Sequence, residues 1–281
     1  IADTLAIVAD GGFAAAGAPT FTEAWLTSLS YTMQLYFDFS GYTDMAIGVA
    51  LLFNIDIPAN FNSPYKSTSI QEFWRRWHIT LSRFLRDYIY IPLGGNRRGD
   101  FRTLANLMVT FLIGGLWHGA AWTFVFWGFL HGAALCIQRL WSKTGIRLPK
   151  ALAWFLTFNF INAAWVFFRA QSFGDALRIL KGMAGFNGIM VSPNLAESVF
   201  WQKLTAFGIR FGDWHAHLPT LESWKYFFCL ALIPFVLLAR NSNDLLAASE
   251  SGKKSAWAVS LLLIVGLLLL NQSSTFLYFL F

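Results

Sequence analysis

Two histidines stand where a membrane-like sequence should have none. His78 closes the run Gln71-Glu72-Phe73-Trp74-Arg75-Arg76-Trp77-His78, and His118 sits in Gly114-Gly115-Leu116-Trp117-His118-Gly119. Between them lies a basic turn, Pro92-Leu93-Gly94-Gly95-Asn96-Arg97-Arg98-Gly99. An ionisable side chain at membrane depth is costly to desolvate, so its default reading is a functional group lining a polar cavity. Neutral imidazole is the natural general base near neutral pH. In a dry cavity His118 can take the proton of a hydroxyl as that hydroxyl attacks an acyl carbonyl, while His78 binds the hydroxyl or steadies the developing oxyanion. The competing reading, in which each ring donates to a backbone carbonyl and packs on tryptophan, stays open on spacing alone.

The remaining candidates are weaker. Trp74, Trp77 and Trp117 flank the histidines and can wall off water. Arg75 and Arg76, with the arginines up to Arg86, can hold the phosphates of a carrier such as coenzyme A, or simply mark a cytoplasmic face. Asp38 and Asp44 can pair with Arg75 or Arg76, a structural ion pair being the usual case for buried charges. Asn96 in the basic turn is a further substrate-binding candidate. His131 falls on nearly the opposite helical face from His118, which favours a structural role. His215 and His217 lie in a polar stretch without a third ligand, so a solvated loop is expected there rather than zinc. Cys136 and Cys229 sit in separate apolar runs, with neither metal nor redox spacing, so no metal site is expected. There is no GxSxG elbow, phosphate-binding P-loop or dinucleotide fingerprint.

Composition sets the medium. Of the 281 residues, 56% are hydrophobic, 18% aromatic and only 13% charged. Soluble domains carry roughly 25% charged residues, so half the usual surface chemistry is missing and an integral membrane protein is expected. The net charge of +6 comes from Lys and Arg between apolar runs, the mark of cytoplasmic loops, with no stripe suited to nucleic acid. The chain opens Ile1-Ala2-Asp3 without initiator Met or signal peptide, so the expectation is the C-terminal part of a longer protein, forming one membrane domain over residues 1–281.

The elements that must position the histidines follow from apolar runs and breakers. A loop or short helix up to Thr22 precedes a first span over Trp25–Phe53, long enough to cross since roughly 20 apolar residues suffice. Pro58 and Pro64 stop it. Ile70–Tyr90 is helical by periodicity but too charged to span, and is expected at the interface or as a re-entrant element, with Trp74, His78, Leu81 and Leu85 on one face. Ser69 with Glu72 suggests a capping box at its start. A basic loop over Gly94–Arg102 leads to apolar stretches Leu104–Trp117 and Ala120–Ile137, with a glycine-rich helix break between them that places His118 at a hairpin apex. Further spans are expected at Ala151–Phe168, Trp224–Ala239 and Ala256–Leu270, with a short amphipathic helix at Ala176–Met183. Lys and Arg place residues 54–103, 139–150 and 240–255 inside and the 169–223 section outside. The fold class expected is all-α, a polytopic transmembrane helical bundle with re-entrant or interfacial helices.

On these residues the chain resembles the membrane-bound O-acyltransferase superfamily, and within it the bacterial alginate O-acetyltransferase branch. The matching text runs through Tyr36-Phe37-Asp38-Phe39-Ser40-Gly41-Tyr42-Thr43-Asp44, Phe61-Asn62-Ser63-Pro64-Tyr65, Glu72-Phe73-Trp74-Arg75-Arg76-Trp77-His78, Arg86-Asp87-Tyr88 and Gly115-Leu116-Trp117-His118-Gly119, within residues 31–135. The resemblance implies a multi-helix enzyme of the bacterial inner membrane with a central tunnel, His118 as its catalytic histidine and His78 as companion. It implies acetyl transfer from a thioester donor, acetyl-CoA or an acyl carrier, with no bound cofactor. The implied acceptor is an exported polysaccharide, alginate first, with periplasmic or anchored acetylation proteins as partners. Cellulose, peptidoglycan or teichoic acid are alternative acceptors, and a non-catalytic transporter or scaffold is the alternative of a different class.

Overall fold

The computed structural model describes residues 1–218, 223–248 and 253–269, and these are mostly helical. A short helix α1 (Ala2–Ala14) buries Leu5, Val8, Ala9 and Phe13 against α2 (Phe21–Leu52), the longest helix at 32 residues. Thr20 and Glu23 start α2 with a capping box, each satisfying an amide the helix leaves unbonded. Its first half is buried on nearly every side, whereas Met45, Val49, Leu52 and Phe53 near its end are exposed.

The helix expected over Ile70–Tyr90 is broken. It forms α3 (Ile70–Arg76) and α4 (Ile79–Leu85), followed by a single wide turn over Arg86–Tyr90. Ser69 caps α3 by accepting from the Glu72 amide at 3.2 Å, but the Glu72 carboxylate reaches Thr68 instead of closing the box on Ser69. At the break Trp77 is extended and His78 is left-handed with φ 41°, a region that non-glycine residues enter rarely and histidine more readily than most. Periodicity missed this because Trp74, Leu81 and Leu85 do share burial, as a continuous helix would require.

Two long helices follow, α5 (Gly99–His118) and α6 (Trp122–Ser142). The first begins inside the stretch read as loop over Gly94–Arg102 and reaches 20 residues, so it is not short. The expected break at the glycines also moves: Gly114 and Gly115 stay helical, and the chain turns at 119–121. These glycines serve close approach. A Cβ on Gly115 would overlap the Phe124 carbonyl oxygen, and one on Gly128 the Phe111 carbonyl oxygen, so the two backbones meet where no side chain fits.

The rest comprises α7 (Lys150–Arg169), the amphipathic α8 (Phe173–Met183), a short α9 (Val199–Leu204), α10 (Ser223–Leu238), α11 (Ser242–Ala247) and α12 (Lys253–Leu269). Two three-residue strands, β1 (Ile189–Val191) and β2 (Ile209–Phe211), pair in parallel. The expected final span reaches Leu270, which lies outside the described residues. Among those described, one helix, Lys150–Arg169, is both long and apolar enough to cross a membrane. The core is aromatic: Phe73 and Trp74 of α3 and Trp77 at the break meet Trp127 of α6, Trp165 of α7 and Tyr65.

Candidate active site

The break in the α3–α4 segment is what aims His78. Unwinding it strips amides and carbonyls of helical partners, and the Pro-rich stretch beside it supplies new ones: Asn62 N donates to Arg76 O at 2.9 Å, and Ile79 N donates to Asn60 O at 3.1 Å. Irregular backbone of this kind is tolerated at membrane depth only when protein satisfies it. The Asn60 side chain completes the clamp, its Oδ1 accepting from Thr80 N at 3.1 Å and Thr80 Oγ1 at 2.7 Å and meeting His78 Nδ1 at 3.3 Å. Phe39 of α2 packs edge-on against the His78 ring at 4.8 Å.

His78 opens on a cavity of about 440 Å³ whose lining also includes Thr43, Tyr42, Asn60 and Trp117. His118 sits at the last position of α5, at the hairpin apex as expected. Its ring lies 4.9 Å from Trp117, 5.3 Å from Trp127 and 5.0 Å from Phe168. Trp117 is 6.4 Å from His78, so the two imidazoles pack against one indole. The separation along the chain is therefore closed in space.

A second cavity, of about 640 Å³, lies between α3–α4 and the α5–α6 hairpin. Trp74 and Arg75 line it together with Arg83, Arg86 and Arg139, and the Arg139 Nε is buried without a hydrogen-bond partner. Four guanidinium groups around one hollow suit an anion of phosphate type.

The other candidates scatter. Trp77 is buried in the core against Phe61, Phe73 and Trp165 and lines neither cavity. Arg76 pairs with Glu72 at 2.8 Å and donates to Asn62 O, and Asp44 accepts from Ser242 Oγ at 3.0 Å, so the expected pairing of Asp44 with the arginines is replaced. Asp38 is half-buried on α2, outside the lining of either cavity. Asn96 stays exposed in its turn. His131 is fully buried, its Nδ1 accepting from Trp74 Nε1 at 3.2 Å, which ties α6 to α3.

The loop at 213–217 is anchored, not merely solvated. His217 N donates to Glu23 Oε1 at 2.7 Å, and its Nδ1 lies 3.1 Å from Glu23 Oε2. Burial acts to raise the Glu23 pKa, but hydrogen bonds from His217 and Thr20 outweigh it and hold the carboxyl below its ordinary value. Asn60 and Thr80 are the residues that sequence reasoning missed. Their signal was faint: a carboxamide between two prolines and a hydroxyl two residues past His78.

Residues 18–173 match the model of the membrane-bound O-acyltransferase family. The chain is 49% identical over 286 residues to a peptidoglycan O-acetyltransferase of Helicobacter pylori, covering 99% of this chain and 53% of that protein. It is 52% identical over 187 residues to a probable alginate O-acetylase AlgI of Pseudomonas aeruginosa, covering 66% of this chain and 36% of that protein. A teichoic acid D-alanyltransferase of Bacillus subtilis is 32% identical over 162 residues, or 51% of this chain and 40% of its own length. The chain thus spans about half the length, or less, of these curated relatives.

Proposed function

This chain belongs to the membrane-bound O-acyltransferase family, and from that premise we propose that it is part of a polytopic inner-membrane enzyme moving an acetyl group from a thioester onto a polysaccharide hydroxyl. The observation that carries the reading is the pair of imidazoles packed against Trp117 beside a cavity. In the simplest division His118 is the general base and His78 positions the acceptor or the thioester. The hydroxyl oxygen bonds to the acyl carbon, its proton passes to imidazole, the C–S bond breaks, and the thiolate recovers a proton to leave as thiol. The arginine-lined cavity supports a phosphate-bearing donor, acetyl-CoA or a phosphopantetheine carrier. No cofactor is required by this scheme. Periplasmic or anchored acetylation proteins are the partners proposed to finish delivery to the polymer.

The expected acceptor is alginate, as the name of the Pseudomonas aeruginosa relative suggests. A second reading, peptidoglycan, is favoured by one observation: the Helicobacter pylori alignment covers 99% of this chain, against 66% for the alginate relative. The experiment is expression of the whole protein with its partner proteins in hosts making each polymer, with ester-linked acetate measured on both. Acetate on one polymer, lost in His118→Ala while the protein stays inserted, is expected. Equal acetate with and without His118 sinks the catalytic reading.

A further inference from the structure

We infer that His131 is a positioning residue for two parts of the reaction: by bonding α6 to α3 it sets Arg139 against Arg75 in the arginine cavity and Trp127 against His118. This rests on the transferase reading and leaves His118 as its base. Trp127, His131, Leu135 and Arg139 follow one another at four-residue spacing, so they form one ridge of α6. From 127 to 139 the ridge is about 18 Å long, at about 1.5 Å per residue. At one end Leu135 and Arg139 line the arginine cavity with Trp74 and Arg75 of α3. At the other the Trp127 indole stands at 89° to the His118 ring, with centroids 5.3 Å apart. His131 lies between these ends, fully buried and 4.8 Å from Trp127.

What fixes this ridge against α3 is direction rather than contact area. Apolar ring packing is non-directional and lets one helix slide along another, whereas a hydrogen bond weakens steeply with angle. Among the described residues two hydrogen bonds made by side chains join α3 to α6. Gln71 N donates to Gln138 Oε1 at 2.9 Å where water competes, and Trp74 Nε1 donates to His131 Nδ1 at 3.2 Å in the buried core. The buried bond therefore holds the register. An indole N–H can only donate, so Nδ1 is the acceptor and the neutral ring carries its proton on Nε2. That Nε2 is buried without a hydrogen-bond partner. Burying an unpaired N–H is costly and a leucine would avoid the cost, so the ring is kept for the bond its other nitrogen accepts. Without that bond the indole in the cavity wall loses its own partner. Arg139 and Trp127 then shift together, because one rigid helix carries both.

The test begins with 15N nuclear magnetic resonance of the histidine-labelled whole protein in nanodiscs, with His131 and His118 assigned by their loss in His131→Leu and His118→Ala. His131 should be the Nε2–H form with a bare Nδ1. A proton on Nδ1 in the unsubstituted protein overturns the inference whether or not any variant folds. His131→Leu should shift the His118 signals, and His131→Asn, whose Oδ1 takes the place of Nδ1 as acceptor, should return them.

A kinetic arm separates positioning from mere packing. Acetyl transfer to the polymer, with the partner proteins present, is read as free thiol released from acetyl-CoA or from an acetylated carrier protein, whichever the unsubstituted protein accepts. His131→Leu should raise donor KM and lower kcat, each about tenfold, and His131→Asn should restore most of both. Trp74→Phe removes the same bond from the other side, so it should reproduce part of this loss and add little to His131→Leu. A histidine that only packs would lower the unfolding temperature while both constants of the inserted protein and the His118 signals stay unchanged. That result overturns the inference, as does full additivity of the two substitutions. Where His131→Leu fails to insert, His131→Asn and Trp74→Phe decide: constants that fall equally in both overturn the inference, and a loss confined to Trp74→Phe upholds it. An unsubstituted protein that transfers acetyl from neither donor sinks the transferase reading and the inference with it, whereas the wrong tautomer sinks the inference alone.

Discussion

The two cavities share a wall but differ in chemistry. On one side of the α3–α4 segment are His78, Asn60 and aromatic rings; on the other are Arg75, Arg83, Arg86 and Arg139. In an unbroken helix His78 would lie between Trp74 and Arg75 on the next turn, at the i+4 and i+3 positions, and would face the arginine side with them. The two-residue break at Trp77 and His78 turns the imidazole away to the other cavity. A backbone irregularity thus places an imidazole and a set of guanidinium groups in different cavities within one short segment.

The sharpest way to break this comparison is at the histidines. His118→Ala in the whole protein should lower acetyl transfer about 10²- to 10⁴-fold, the usual yield of a proton-transfer group, measured as ester acetate on the polymer. Next is the frame that holds both cavities. Gly128→Ala places a methyl against the Phe111 carbonyl oxygen, and forcing α5 and α6 apart should cost about 1–3 kcal/mol, read as a lower unfolding temperature in detergent. The arginine side answers differently: replacing Arg75, Arg83 and Arg139 together by Gln should raise KM for the donor roughly tenfold, about 1.4 kcal/mol of binding, with a smaller change in kcat. An equal fall in kcat would show that the two cavities are not separate in function.

The smallest expected effect lies far from both cavities. Glu23 has a folded-state pKa below its unfolded value, so its contribution is complete above the ordinary carboxylate range and is lost as pH falls through the lowered folded value. Glu23→Gln should cost about 1–2 kcal/mol at neutral pH and flatten the acid limb of a stability profile, leaving donor KM unchanged. A donor KM that follows Glu23 would tie the anchored loop to the arginine cavity.

Much of this was legible before folding. The apolar runs located α2, α6 and α7 to within a few residues, because burial of an apolar helix face needs only the local pattern. The Trp-His pairs marked both imidazoles, because charge-capable residues in an apolar chain are costly enough to stand out. The break at His78 was not legible. Its periodic apolar residues satisfy a continuous helix, and what unwinds it is hydrogen bonding to Asn60 and Asn62 from another segment. The pairing of Asp44 failed for a related reason: its partner Ser242 comes from α11, far along the chain.

The sequence by itself determined the helical class, the family and the two histidines, since composition, periodicity and contiguous motifs are local properties. Only the tertiary structure decided which cavity each side chain lines, that both imidazoles meet at Trp117, and that Asn60 stands beside His78. Those depend on hydrogen bonds and ring contacts between segments that neither propensity nor spacing encodes, because their partners are fixed only once the chain has packed.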